Sequence, residues 1–345
     1  MARGREVSKI PVVLVSGFLG SGKTTLLNHL LRNNRGIRIG VVVNDFGSIN
    51  IDSMMVAGQV DSMVSLGNGC LCCAVDVSDM DSMFDVLAGS SSPLDVIVVE
   101  ASGLAEPRNL IRMVLGSDNP RITYGGLVGL VDAVEFDSIR STHPEIDSHL
   151  RLADLLVLNK SDRLDPDDLG AVESRVRGVV DEVPILITSH GRVDAELLFE
   201  VPERADDPTQ ARQMSLDELL YEDDDHARHL HSRYTTSSFE SVEPLDPRRL
   251  VDMLENPAGD VYRIKGFVYF GIDGYEAKFV LNTVGRHIRL EPDTWDDGEE
   301  RVTRIVAIGT DLDEELIEIR LLDCVRRPGD PTDESAMLPV HRYSS

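Results

Sequence analysis

An apolar run, Ile10–Ser16, leads straight into Gly17-Phe-Leu-Gly-Ser-Gly22-Lys23-Thr24, and a helical stretch opens at Lys23 and ends near Asn33 and Gly36. This is the G-x-x-x-x-G-K-[ST] pattern in the strand–loop–helix context that gives it meaning. Gly17, Gly20, Ser21 and Gly22 form a loop whose amides can turn inward around a phosphate. Lys23 carries the charge to neutralise outer phosphate oxygens, and the Thr24 hydroxyl, with Thr25 beside it, stands where Mg²⁺ would be held. The helix that starts there presents its positive end to the anion. A loop of this kind needs a buried strand before it and a helix behind it, which restricts the domain to a layered α/β fold.

The chain up to about residue 190 continues in that manner. Ile39–Asn44, Val96–Glu100, Leu127–Val131, Leu155–Asn159 and Pro184–Thr188 are nearly all apolar, as strands covered on both faces must be. Val77–Leu87, Arg108–Leu115 and Pro166–Val180 read as helices between them. The alternation predicts a doubly wound, mostly parallel sheet over residues 1–200. Residues 201–232 are rich in Pro, Asp and Glu and read as a linker with a short helix around Leu216–Tyr221. Residues 233–327 read as a small α+β domain with strands Tyr234–Phe239, Val261–Phe270, Tyr275–Val284 and Arg304–Gly309 and helices Pro247–Glu255 and Glu314–Cys324. Residues 328–345 are expected to be a tail without fixed structure.

Two further motifs fall at strand ends. Asn159-Lys160-Ser161-Asp162 closes a buried strand. A carboxylate at Asp162 can accept from the N1–H and N2–H₂ edge of guanine, a donor pair adenine lacks, while the Lys160 stem lies over the base. This predicts GTP and GDP rather than ATP, with Thr188–Ser189 as further flanking residues. Glu100-Ala-Ser-Gly103 follows an apolar strand, so Glu100 is placed to hold Mg²⁺ and the Gly103 amide to sense the γ-phosphate. Asn44-Asp45-Phe46-Gly47, running on to Asp52, occupies the region of a switch, where Asp45 or Asp52 can reach Mg²⁺ or another cation.

Cysteine usage points to a second metal. Three of the four cysteines crowd together at Cys70, Cys72 and Cys73. No apolar run reaches the roughly 18 residues of a membrane span, and the N-terminal run leads into the glycine loop, so a cytosolic, thiol-reducing location is expected. There the cluster suggests metal ligation before disulfides, and three thiolates suit Zn²⁺ while leaving one position open. His226, His229 and His231 follow the acidic run Asp223–Asp225 and fit either a loosely held Zn²⁺ or Co²⁺ or a solvated linker. The formal net charge of −26 disfavours nucleic acid and acidic membranes as partners and favours cations and basic proteins.

The ordered set GFLGSGKTTLLNHLL, NDFGSINID, GNGCLCC, VVVEASGLAEP, LNKSD and VYRIKGFVYF resembles the CobW-type GTPases. These are a metallochaperone family of the P-loop class that includes the hydrogenase and urease maturation GTPases. The resemblance implies GTP hydrolysis coupled to delivery of zinc or cobalt to a client metalloprotein, with homodimers possible. It places metal on Cys72 and Cys73, with Cys70 sharing. The chain has Asp45 and Ser48 where the family commonly has Glu, which removes one anionic ligand and shortens another. A different reading of the same motifs is a non-enzymatic switch that senses zinc and recruits a partner. A metabolite kinase is disfavoured by the guanine-reading motif.

Overall fold

A computed structural model describes residues 9–34, 36–43, 62–65, 77–89, 94–103, 105–180, 182–199, 234–275, 277–295, 298–310 and 312–344. Seven parallel strands form the first sheet: β1 (Ile10–Gly17), β2 (Ile39–Val43), β3 (Ser62–Ser65), β4 (Val96–Glu100), β5 (Ile122–Asp132), β6 (Leu155–Asn159) and β7 (Ile185–Ile187). Their order is β3-β2-β4-β1-β5-β6-β7, so the winding reverses around β1. In such sheets the crevice at the carboxyl ends of the strands, near the reversal, is where ligands sit. Alternation along β1 sends Val13 and Val15 to one core and Val12 and Leu14 to the other. The first core packs on α1 (Lys23–Arg32) through Leu26, Leu27 and Leu30, and the second on α2 (Val77–Ala88) and α3 (Pro107–Leu115) through Phe84 and Leu110. Burial on both faces explains why β4 and β6 carry an unbroken apolar run up to their last residue.

Two helices that periodicity did not flag, α4 (Phe136–Thr142) and α5 (Ile146–Leu152), join β5 to β6. Each is seven residues long and mostly polar, with Phe136 or Leu150 as its buried residue, too little for a periodic signal. α6 (Pro166–Val180) covers β6 and β7 through Val172, Val176 and Val180, and α7 (Ala195–Leu198) ends the domain.

The second sheet is antiparallel, ordered β11-β10-β9-β12-β8. Its strands are β8 (Thr235–Ser241), β9 (Val261–Val268), β10 (Lys278–Val284), β11 (His287–Asp293) and β12 (Thr303–Gly309), and α8 (Pro247–Glu255) and α9 (Glu314–Asp323) share its core. The unforeseen β11 is an edge strand whose buried Ile288 and Leu290 alternate with polar residues, a weak apolar signal. The hairpin turn between β10 and β11 docks on the root of β6. Gly285 has φ +54°, and a Cβ there would stand 1.8 Å from the Asp154 carbonyl oxygen, so only glycine fits. Arg286 donates to the carbonyls of Arg151 (2.8 Å) and Ala153 (2.9 Å). Tyr262 donates to Ile185 O at 3.1 Å, at the start of β7. The second sheet therefore anchors at the strand ends opposite the glycine loop.

The stretch after Pro328, expected to lack structure, instead folds onto this second core. Asp333 caps a 3₁₀ turn, Glu334–Met337, which runs into α10 (Leu338–His341). Ala336, Met337 and Val340 are fully buried, and Leu290 N donates to Tyr343 O at 2.9 Å. The Arg249 guanidinium, 2.6 Å away, and the Arg327 amide hold the Asp330 carboxyl down at about 2. The Pro, Gly and Asp residues that suggested a tail serve as turns and caps, and the apolar residues between them are few but buried. Met337→Ala should cost about 2–5 kcal/mol, the usual price of emptying such a site. Chemical denaturation would show this as a lower midpoint, and an unchanged midpoint would mean that this segment is peripheral.

Candidate functional site

The glycine loop lies at the carboxyl end of β1, in the middle of the sheet. Gly20 (φ +76°) and Gly22 (φ +104°) take left-handed conformations. A Cβ on Gly22 would stand 2.3 Å from Asn159 Nδ2. Gly22 is the N-cap of α1, and among the described residues no side chain caps that end. Lys23 is buried, and its ammonium donates to the carbonyls of Gly17 (2.9 Å) and Phe18 (3.2 Å). The Ser21 hydroxyl is buried with no hydrogen-bond partner among the described residues. Thr25 is exposed on the helix.

Parallel pairing brings Glu100 to this loop. Val15 and Val43 flank it in register on the two neighbouring strands. Glu100 is only 4% exposed, and its Oε1 accepts from the Thr24 hydroxyl at 2.9 Å. Gly103, three residues on, lies against the loop: a Cβ there would be 2.7 Å from Leu19 N. A cavity of about 180 Å³ opens beside it, between Phe18, Glu106, His143 and His149. His149 Nε2 stands 3.3 Å from Glu106 Oε2 across that cavity.

The second motif closes the other side. Asn159 is buried and bridges two loops: its Nδ2 donates to Ser21 O (2.9 Å) and its Oδ1 accepts from Gly191 N (2.9 Å). Lys160 has φ +63°, and its ammonium sits 2.6 Å from Asp132 Oδ2. Asp162, in a 3₁₀ turn, keeps a side chain 39% exposed, with His190 Nε2 3.6 Å away. Thr188 is buried and donates to Arg192 O, holding the loop after β7. The structure thus brings together Gly17, Gly20, Ser21, Gly22, Lys23, Thr24, Glu100, Gly103, Asn159, Lys160 and Asp162 along one edge of the sheet. Sequence reasoning missed Asp132 and His190; Asp132 was discoverable as the carboxylate that ends the strand paired with β6.

Asp45, Cys70, Cys72, Cys73, His226, His229 and His231 lie outside the described residues. Cys324 is buried, its thiol donates to Arg320 O, and burial pushes that thiol up to about 12, so it is a core residue rather than a ligand. Among the described residues no helix is long and apolar enough to cross a membrane.

Comparison with known proteins follows this division. Residues 11–187 match the CobW/HypB/UreG nucleotide-binding domain, and residues 234–325 match the cobalamin synthesis protein cobW C-terminal domain. The chain is 32% identical over 343 residues to the zinc chaperone CobW of Sinorhizobium sp, covering 90% of this chain and 95% of that protein. It is 28% identical over 324 residues to the zinc chaperone YjiA of Escherichia coli (strain K12), covering 90% and 97%. The zinc-regulated GTPase metalloprotein activator 1 of Schizosaccharomyces pombe is 31% identical over 194 residues, covering 54% of this chain and 47% of that protein. With both domains matched in order, the chain belongs to the CobW/HypB/UreG family and carries the CobW C-terminal domain.

Proposed function

We propose that this protein binds GTP and Mg²⁺ at the edge built from Gly17–Thr24, Glu100–Gly103 and Asn159–Asp162, hydrolyses the GTP, and uses the change to control a zinc site at Cys70, Cys72 and Cys73. The observation that carries the nucleotide reading is the Asn159 bridge. One side chain ties the phosphate loop at Ser21 to the loop at Gly191 that flanks Asp162, so phosphate and base ends form a single rigid cleft.

The residues fit a hard divalent cation. Thr24 and Glu100 offer a hydroxyl and a carboxylate oxygen 2.9 Å apart in a buried corner, the oxygen donors that Mg²⁺ takes. Bound there, Mg²⁺ would neutralise charge building up on the β- and γ-phosphate oxygens. The protein's own contribution is positional. Lys23 exchanges its two carbonyl acceptors for phosphate oxygens, the amides of α1 and the loop turn toward the phosphates, and the Gly103 backbone meets the γ-phosphate. Loss of that phosphate frees the Gly103 segment, and in related nucleotide machines such ordering is what the switch transmits. The relatives named zinc chaperones support zinc as the cargo, and the relative named a metalloprotein activator supports a client metalloprotein as its destination. The thiolates, as soft ligands, suit that ion.

Phosphate release from GTP, measured with and without Mg²⁺ and against ATP, tests the reading. Release from GTP alone, and only with Mg²⁺, is the expected result. Equal release from ATP, or turnover that persists in chelator, would oppose it.

A further inference from the structure

We propose that Asp132 is a positioning residue for guanine recognition, acting through Lys160. The inference rests on the reading above that Lys160 and Asp162 hold the base, and adds a residue to it.

Asp132 is the last residue of β5 and lies in register opposite Asn159 on β6. It therefore stands beside Lys160 at the sheet's carboxyl edge. The residue is 5% exposed. Its two oxygens divide their tasks. Oδ1 accepts from the amides of Val134 (3.0 Å) and Glu135 (3.4 Å), which fixes the carboxylate on the turn after the strand. Oδ2 meets the Lys160 ammonium at 2.6 Å. The Ala133 amide also donates to Asn159 O at 3.0 Å, so the two strand ends are tied by backbone as well.

A lysine has a flexible four-carbon stem and many rotamers. A stem that is to cover the flat face of a base must be laid in one direction beforehand. The positive φ of Lys160 and the carboxylate waiting at its tip do this. Lys23 donates to the backbone carbonyls of Gly17 and Phe18, whereas the Lys160 ammonium meets a buried carboxylate that fixes its tip. The three members of the motif are thus set by different means: Asn159 by two loops, Lys160 by Asp132, and Asp162 left partly open to receive the base.

Asp132→Asn keeps the shape and the acceptor for the Val134 amide but turns an N–H₂ toward the Lys160 ammonium. Dissociation constants for GDP and GTP should rise about tenfold, the scale of one charge-assisted contact. KM for GTP should rise by a similar factor while kcat moves far less. The decisive arm is a double-mutant cycle with Lys160→Met. If Asp132 acts through Lys160, its substitution adds little in the Lys160→Met background. A full tenfold effect in that background, or no effect in the wild type, would overturn the proposal. Asp132→Ser, which also retains an acceptor for the turn amides, serves if the asparagine variant folds poorly. Asp162→Asn separates the two readings. Intact GTP preference in that variant would refute base recognition by this motif, whereas lost preference beside a silent Asp132→Asn would refute only the role of Asp132.

Discussion

Lys23→Ala is expected to lower GTP turnover by about 10²–10³-fold, the loss found when one preorganised electrostatic donor is removed from a reacting group. The ammonium is buried at the mouth of the glycine loop, bonded to the carbonyls of Gly17 and Phe18. That places its charge at the loop where the phosphate oxygens would lie. Alanine leaves the loop with two carbonyls that water can reach and no cation at the γ-phosphate. The fold should survive, because the loop rests on the Asn159 bond to Ser21 and on glycine geometry rather than on Lys23. Single-turnover phosphate release gives the rate, and a thermal melt checks the fold. Wild-type release from a folded variant would remove Lys23 from the chemistry.

Asp162→Asn should have the second large effect. The side chain is 39% exposed on a 3₁₀ turn, beside His190 and next to the anchored Lys160. Two charge-assisted hydrogen bonds to guanine, each of about 1.5–3 kcal/mol, make the expected loss of GTP affinity at least about 100-fold. The amide presents one donor where guanine also presents donors, so discrimination against ATP should fall with affinity. Competition between labelled GDP and unlabelled GTP or ATP measures both. Preference for GTP that persists at full strength would place base recognition elsewhere.

The first domain was legible because its information is local. A strand buried on both faces shows as an unbroken apolar run, and its last polar residue marks where the run meets the site, as with Glu100 and Asn159. What the sequence concealed depends on contacts between distant segments. Asp132 becomes interesting only when β5 is paired with β6 and its carboxylate is seen to meet Lys160, 28 residues away. His190 stands by Asp162 because β7 follows β6 in the sheet, which no spacing rule encodes. The helices α4 and α5 were overlooked because seven residues cannot display a helical period convincingly. The segment after Pro328 was misread because its burial comes from three small contributions, Ala336, Met337 and Val340, against a core assembled from other strands. Composition alone reports such a stretch as polar.

The thiolates and the nucleotide should be thermodynamically linked if the γ-phosphate orders the segment between β2 and α2 around the metal. Linkage is reciprocal: the factor by which GTP tightens zinc must equal the factor by which zinc tightens GTP over GDP. Thiolate ligation also releases protons, so zinc affinity should fall as pH drops. Titration of Zn²⁺ into protein loaded with GDP or with a non-hydrolysable GTP analogue measures the link most directly. The expected result is tighter binding in the GTP-like state by about 5–150-fold, the usual range for coupled sites, with the difference abolished in the Cys72→Ser, Cys73→Ser variant while nucleotide binding remains. Equal affinity in the two states, or a difference that outlives both cysteines, would contradict a nucleotide-gated zinc site.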